Sequence, residues 1–257
     1  MKLLFYWRLL LTASFVVMLF LSCRSGKNAP DAKLAKIKAD HAAQNELLRS
    51  TPDPYYKYVA DSLKEWLPIL KTAFADDQKY RIVGYNLNKE EWALQAKLDS
   101  ANVIIAESYL DKYGWPSLKE IGLLGQRSIG IIIQHSPLKI QEKYYPLLVQ
   151  TYKRAPAGLT EILILMEDRI NLRNRRFQYY GSQAVSYKGK MVLYPVFNID
   201  SIDVYRKRVG IAIPVAEYLK RLNVQFDINE YKQLLPELIK EFKVSDTAGV
   251  HYDMPVR

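Results

Sequence analysis

The chain reads as mainly α: a compact multi-helix domain with one small β-hairpin, α+β only at the margin. Three observations predict this. Apolar residues recur at spacings of three and four through most of residues 57–242. The period changes in one place, on either side of Tyr187-Lys188-Gly189-Lys190, where a strand–turn–strand pattern appears. Glycine and proline mark off the apolar runs at Gly114, Pro116, Pro137, Pro156 and Gly158. Apolar residues make up 49% and charged residues 25%, ordinary for a folded globular body.

The first segment sets the expected location. Lys2 and Arg8 give a short basic start, Leu9 to Leu21 is apolar, and Phe20-Leu21-Ser22-Cys23 closes the run. That layout predicts a lipoprotein-type signal peptide over 1–22, because the run is shorter than the roughly 20 residues a membrane span needs. Cys23, the single cysteine, is then the acylated residue, carrying palmitate and holding the protein to a bacterial membrane. Phe20 and Leu21 depart from the usual lipobox pair. The alternative is an uncleaved anchor helix in which Cys23 is incidental. Acylation leaves no thiol to pair, so the fold is expected to rest on its core and not on disulfides.

Residues 23–53 read as a tether and an exposed helix. Leu34, Ile37, Ala43 and Leu47 form only a thin apolar stripe between residues 31 and 50. Thr51-Pro52-Asp53-Pro54 is a break, and a single helical domain is expected over 54–243. Val59, Leu63, Trp66, Leu67, Leu70 and Phe74 predict a helix over 57–76, kinked by Pro68. A second is predicted over 88–113, with Trp92, Leu98, Ile105 and Leu110 inside and Gly114 as its stop. Two more follow over 123–135 and 139–153. The helix over 159–174 is apolar on every side from Ile162 to Met166, which predicts a central, enclosed position. A hairpin over 178–185 and 191–196 comes next, then helices over 201–208, 215–222 and 228–242, the last interrupted by Pro236. Residues 244–257 form a polar tail.

The formal charge is +10, and losing Lys2 and Arg8 with the signal leaves +8. Arg169, Arg173, Arg175 and Arg176 are the densest group, and no block of five like charges occurs. With export expected, the excess suits an anionic membrane or envelope polymer, and no nucleic acid partner is expected.

Several polar residues sit where a core alone does not explain them. Asp168 and Arg169 end the enclosed helix, and His135 ends the other strongly apolar one. Gln178, Tyr180, Ser182 and Gln183 open the hairpin. Asp77, Gln78 and Arg81, with Asp99 and Asn102, lie at helical spacing on the first two core helices. Taken in order, Asp77-Gln78-Lys79-Tyr80-Arg81, Asp99 with Asn102, Gly114-Trp115-Pro116, Gln134-His135, Asp168-Arg169, Gln178-Tyr179-Tyr180-Gly181-Ser182-Gln183, Tyr194-Pro195, Arg206 with Gly210, and Tyr218-Leu219 resemble the bacterial DUF6624 family of domains of unknown function. The resemblance spans about residues 73–222, with Ser182 where the family more often has Thr. It implies a fold and no activity.

Two functions follow from the residues. In the first, the protein is an envelope lipoprotein with a binding or scaffolding domain and a polar pocket for an unknown envelope ligand or protein. In the second, it is a metal-independent hydrolase-like enzyme acting on an anionic or glycan-type component. His135 would then be acid or base, Asp168 its orienting partner, Arg169 the anion holder, and Gln178, Tyr180 and Gln183 the ligand contacts. His135 could instead only cap its helix, and Asp168-Arg169 could tie the central helix to the hairpin. No Gly-x-Ser-x-Gly elbow, Walker loop or Gly-x-Gly-x-x-Gly is present. No cofactor is expected. No metal is expected either, since His41 and His251 fall outside the expected domain and leave one His among scattered carboxylates.

Overall fold

The computed structural model describes residues 31–50, 59–81, 87–222 and 224–245. The expectations for the signal segment, Cys23, the Thr51–Pro54 break, His251 and most of the tail lie outside them.

The fold is mainly α with a small β-hairpin. Helix α1 (Asp31–Ser50) precedes a short α2 (Asp61–Lys64), then α3 (Trp66–Gln78), α4 (Lys89–Tyr113), α5 (Leu118–His135), α6 (Leu138–Arg154) and α7 (Thr160–Arg173). The hairpin pairs β1 (Ala184–Tyr187) with β2 (Lys190–Leu193) in antiparallel register, Val185 opposite Val192. After a 3₁₀ turn (Ile199–Ser201) come α8 (Ile202–Arg208), α9 (Val215–Arg221) and α10 (Ile228–Phe242).

Among the described residues two large apolar cores result, and α7 serves both. Leu163, Met166 and Ile170 pack with Leu70, Tyr109, Ile129, Ile133 and Leu148 of the first. Ile164 and Leu165, on the opposite side, pack with Tyr180, Leu193, Ile202 and Leu219 of the second. A helix between two cores has no solvent face, which is why Ile162–Met166 carries no polar position. Gly130 lets α5 and α7 touch: a Cβ there would stand 2.7 Å from Ile162 Cδ1.

Local rules account for the boundaries. Asn88 and Glu91 make a reciprocal capping box on α4, and Gly114 ends it at φ +75°. Lys188 and Gly189, at φ +48° and +78°, form the tight left-handed turn that a two-residue hairpin needs.

Several expectations change: the helix expected from residue 123 begins at Leu118, and the hairpin pairs only over Ala184–Tyr187 and Lys190–Leu193. The helix expected over 57–76 is broken at Glu65, and Pro68 falls in the first turn of α3, where its missing N–H costs nothing. Pro236 does not interrupt α10, which runs through it. On α4 the inner face begins with Gln95 and Asn102, while Trp92 is 45% exposed. A polar face turned inward on α4 marks the site.

Candidate functional site

Helix α3 ends in Asp77-Gln78, and the chain turns so that Arg81 folds back over it. Arg81 grips Asp99 of α4 with both ends of its fork, Nη1 donating to Oδ1 at 2.9 Å and Nη2 to Oδ2 at 2.7 Å. Nη1 also donates to the Asp77 carbonyl and stands 3.3 Å from the Asp77 carboxylate. Gln95 Nε2 completes the joint, donating to Asp99 Oδ1 at 2.7 Å and to the Asp77 carbonyl at 2.9 Å.

The Asp77 carboxylate faces α5. His135 Nδ1 lies 2.8 Å from Oδ2 and 3.0 Å from Oδ1, and Gln78 Nε2 donates to Oδ2 at 2.6 Å. An ionised carboxylate only accepts, so Nδ1 holds the ring proton and Nε2 keeps its lone pair. Nε2 has no hydrogen-bond partner among the described residues. Burial, with Arg81 nearby, pushes the imidazole down to about 4, against the pull of Asp77, so it is neutral at pH 7. Burial works to raise the Asp77 carboxyl, but His135 and Arg81 together hold it below the ordinary range. The result is an oriented, uncharged imidazole.

From α7 comes a buried cation. Arg169 Nε donates to Gln183 Oε1 and Nη1 to the Gln134 carbonyl, both at 3.3 Å. Both acceptors are neutral, and no ion pair of Arg169 occurs among the described residues. Arg173, one turn on, donates to the Ser136 carbonyl at 2.6 Å. Burial, with Arg173 and Arg81 nearby, lowers the Arg169 guanidinium to about 9, still charged at neutral pH. Both arginines cap the C-terminal carbonyls of α5, whose dipole supplies only about half a negative charge. Three guanidiniums therefore face two carboxylates, and the excess is positive.

Asp168 points the other way. Its Oδ1 accepts the backbone N–H of Tyr179 at 2.8 Å and of Tyr180 at 3.1 Å, and Oδ2 that of Ser182 at 2.9 Å. Burial pushes its carboxyl up, against the amides that favour the charged form. The expected orientation of His135 by Asp168 is not what the fold builds; Asp77 holds that place. Nor do Asp168 and Arg169 pair, because neighbours on a helix point to different sides.

The hairpin approach is a scaffold around Asp168. Gln178 gives Nε2 to the carbonyls of Gln183 and Tyr194 and takes the Gln183 N–H on Oε1. Tyr180 is fully buried, its carbonyl held by Arg206 Nη1 at 2.7 Å. Gln178, expected as a ligand contact, is thus structural in its bonding, and Tyr180 is held through its backbone carbonyl. Gln183 alone of that trio reaches the His135–Arg169 region. Among the described residues no group of three or more His, Cys, Asp or Glu side chains converges as a metal site would.

The residues whose roles the sequence did not assign are Asp77, Arg81 and Asp99. A signal existed: Asp77 and Arg81 stand four apart across the end of α3, and Gln95 and Asp99 stand four apart on one face of α4.

Residues 60–231, about two thirds of the chain, match the model of a family described as a family of unknown function (DUF6624). No curated protein matches the chain, and no solved structure does.

Proposed function

The chain belongs to the DUF6624 family, and we propose that it is an envelope lipoprotein, anchored through Cys23, whose helical domain binds an anion-bearing envelope ligand between Arg169, Arg173 and His135. One observation carries the reading. Arg169 is a buried guanidinium bonded only to neutral oxygens, beside two further cations. A buried charge without a counter-charge is costly, and an incoming carboxylate or phosphate supplies one. Gln134, next to His135, adds a buried Nε2 without an acceptor. Both vacant functions are donors, as an anion site requires.

The probe is inorganic phosphate, with chloride holding the ionic strength constant. At ten times its Kd, phosphate should stabilise the full chain by about 1.4 kcal/mol, raising Tm by roughly 3–6 °C. Arg169→Met should remove that rise. An equal rise in both proteins would overturn the site.

The Asp77–His135 pair favours a second reading in which the bound ligand is also hydrolysed. A neutral imidazole fixed through Nδ1 offers its Nε2 to a water as general base. This hydrolase needs neither a metal nor a protein nucleophile. Turnover of p-nitrophenyl phosphate that His135→Asn abolishes, while phosphate still raises Tm, would select it. Binding without turnover leaves the first reading.

A further inference from the structure

We infer that α1, which lies wholly before the family-matched residues, completes the site, with His41 as a positioning residue for the Asp77–His135 pair. The inference rests on the reading of that pair as the working centre.

Polar side-chain contacts tie α1 to the body, and two of them land on the residues that flank Asp77. Arg49 Nη2 pairs with Asp76 at 2.6 Å, Lys38 Nζ with Glu91 at 2.8 Å, and His41 Nε2 lies 2.7 Å from the Gln78 carbonyl. The first and third hold the residues on either side of Asp77. The two ion pairs are partly exposed and contribute little. The His41 contact is different, because its acceptor is a carbonyl at the end of α3 that also takes the Arg81 N–H at 3.1 Å. A carbonyl only accepts, so His41 donates, charged or neutral.

That carbonyl is a pivot. Gln78, whose peptide it fixes, gives its side-chain Nε2 to Asp77 Oδ2, the same oxygen that holds His135 Nδ1. Arg81, whose N–H shares it, supplies the guanidinium against the Asp77 carboxylate. His41 therefore stands one residue behind both groups that aim Asp77. The family-matched span begins at residue 60, so this donor comes from the segment that follows the lipid anchor.

The face of α1 that does this is polar. Lys38, His41, Asn45 and Arg49 recur at three and four, and Lys38, His41 and Asn45 are half-buried. Leu47 is 44% exposed. Among the described side chains of α1, Arg49 and His41 dock on Asp76 and the Gln78 carbonyl, on either side of Asp77.

The test reads the His135 Nδ1 proton by NMR in the full chain, where a hydrogen bond to a buried carboxylate gives a downfield, slowly exchanging signal. His41→Phe keeps a ring and removes the donor; His41→Gln restores an N–H donor; Lys38→Ala removes an ion pair of the same helix. The expected result is loss of the signal in His41→Phe and its retention in the other two. A signal unchanged in His41→Phe overturns the inference alone, and so does loss in all three, which would mean that α1 matters only as packing. If His41→Phe does not fold, loss of the signal in Gln78→Met, which cuts the next link, supports the relay, and retention there overturns it. Absence of the signal in the wild type would fail the Asp77–His135 reading itself.

Discussion

Asp168 and His135 are both buried ionisable residues, and their surroundings give them opposite kinds of work. Asp168 is enclosed by the amides of Tyr179, Tyr180 and Ser182, so its charge is consumed in holding the loop before the hairpin to α7. Asp168→Asn keeps the shape but turns an NH₂ toward those donors. Unfolding by urea should show a loss of roughly 3 kcal/mol or more; a loss under 1 kcal/mol would refute the anchoring role. His135 instead keeps a lone pair open and titrates at about 4 in the fold, below an ordinary histidine near 6.5. Between those values the unfolded chain binds the proton and the folded one does not, so stability rises with pH across that window and falls as pH drops through it. The full span amounts to on the order of 3 kcal/mol. His135→Gln should flatten stability between pH 4 and 6.5, and an unchanged slope would show that another group titrates there. Sequence made His135, Arg169 and Gln183 visible as misplaced polar residues. It could not show that Asp77 holds the imidazole, because 58 positions separate them and only the packing of α3 on α5 joins them.

At the scale of elements, legibility followed locality. The spans of α4, α6 and α7 were readable within a residue or so, since caps, Gly114 and three-four spacing act within a turn or two. The enclosed position of α7 was readable too, from its all-round apolar stretch. Whether a proline breaks a helix was not. Pro68 and Pro236 differ from a breaker only in where the first turn begins and what the neighbouring helices hold in place. The polar docking of α1 was equally hidden, because Lys38, His41, Asn45 and Arg49 look like a solvated face until α3 is placed against them. The turn at Gly181 combines backbone and packing constraints in one residue. It sits at φ +63°, and a Cβ there would stand 2.6 Å from Ile202 Cδ1 and 2.8 Å from Val215 Cγ2. Gly114 has φ +75° with open space around it. Gly114→Ala should therefore cost about 1 kcal/mol from backbone strain alone, and Gly181→Ala roughly 2 kcal/mol more. Equal losses in denaturant titrations would mean that α8 and α9 yield to the methyl.

For the whole molecule, the proposed anchor and the proposed site lie along one line of chain. Only residues 24–30 separate Cys23 from the start of α1. Fully extended, seven residues reach at most about 25 Å, so acylation at Cys23 would hold the α1 end of the domain within that distance of the headgroups. With the proposed signal removed the charge would be +8, which would favour the same approach to an anionic leaflet. Among the described residues no helix is long and apolar enough to cross a membrane. Cys23→Ser should then move the protein out of the membrane fraction or leave an unprocessed precursor. Mass spectrometry of the wild type should find a thioether-linked lipid on Cys23. Lengthening the 24–30 segment with Gly-Ser repeats should leave fractionation unchanged and only increase the distance of α1 from the bilayer. A mature N-terminus well beyond Cys23, or a membrane fraction indifferent to Cys23→Ser, would remove the lipid anchor and with it the reason to seek the Arg169 ligand in the envelope.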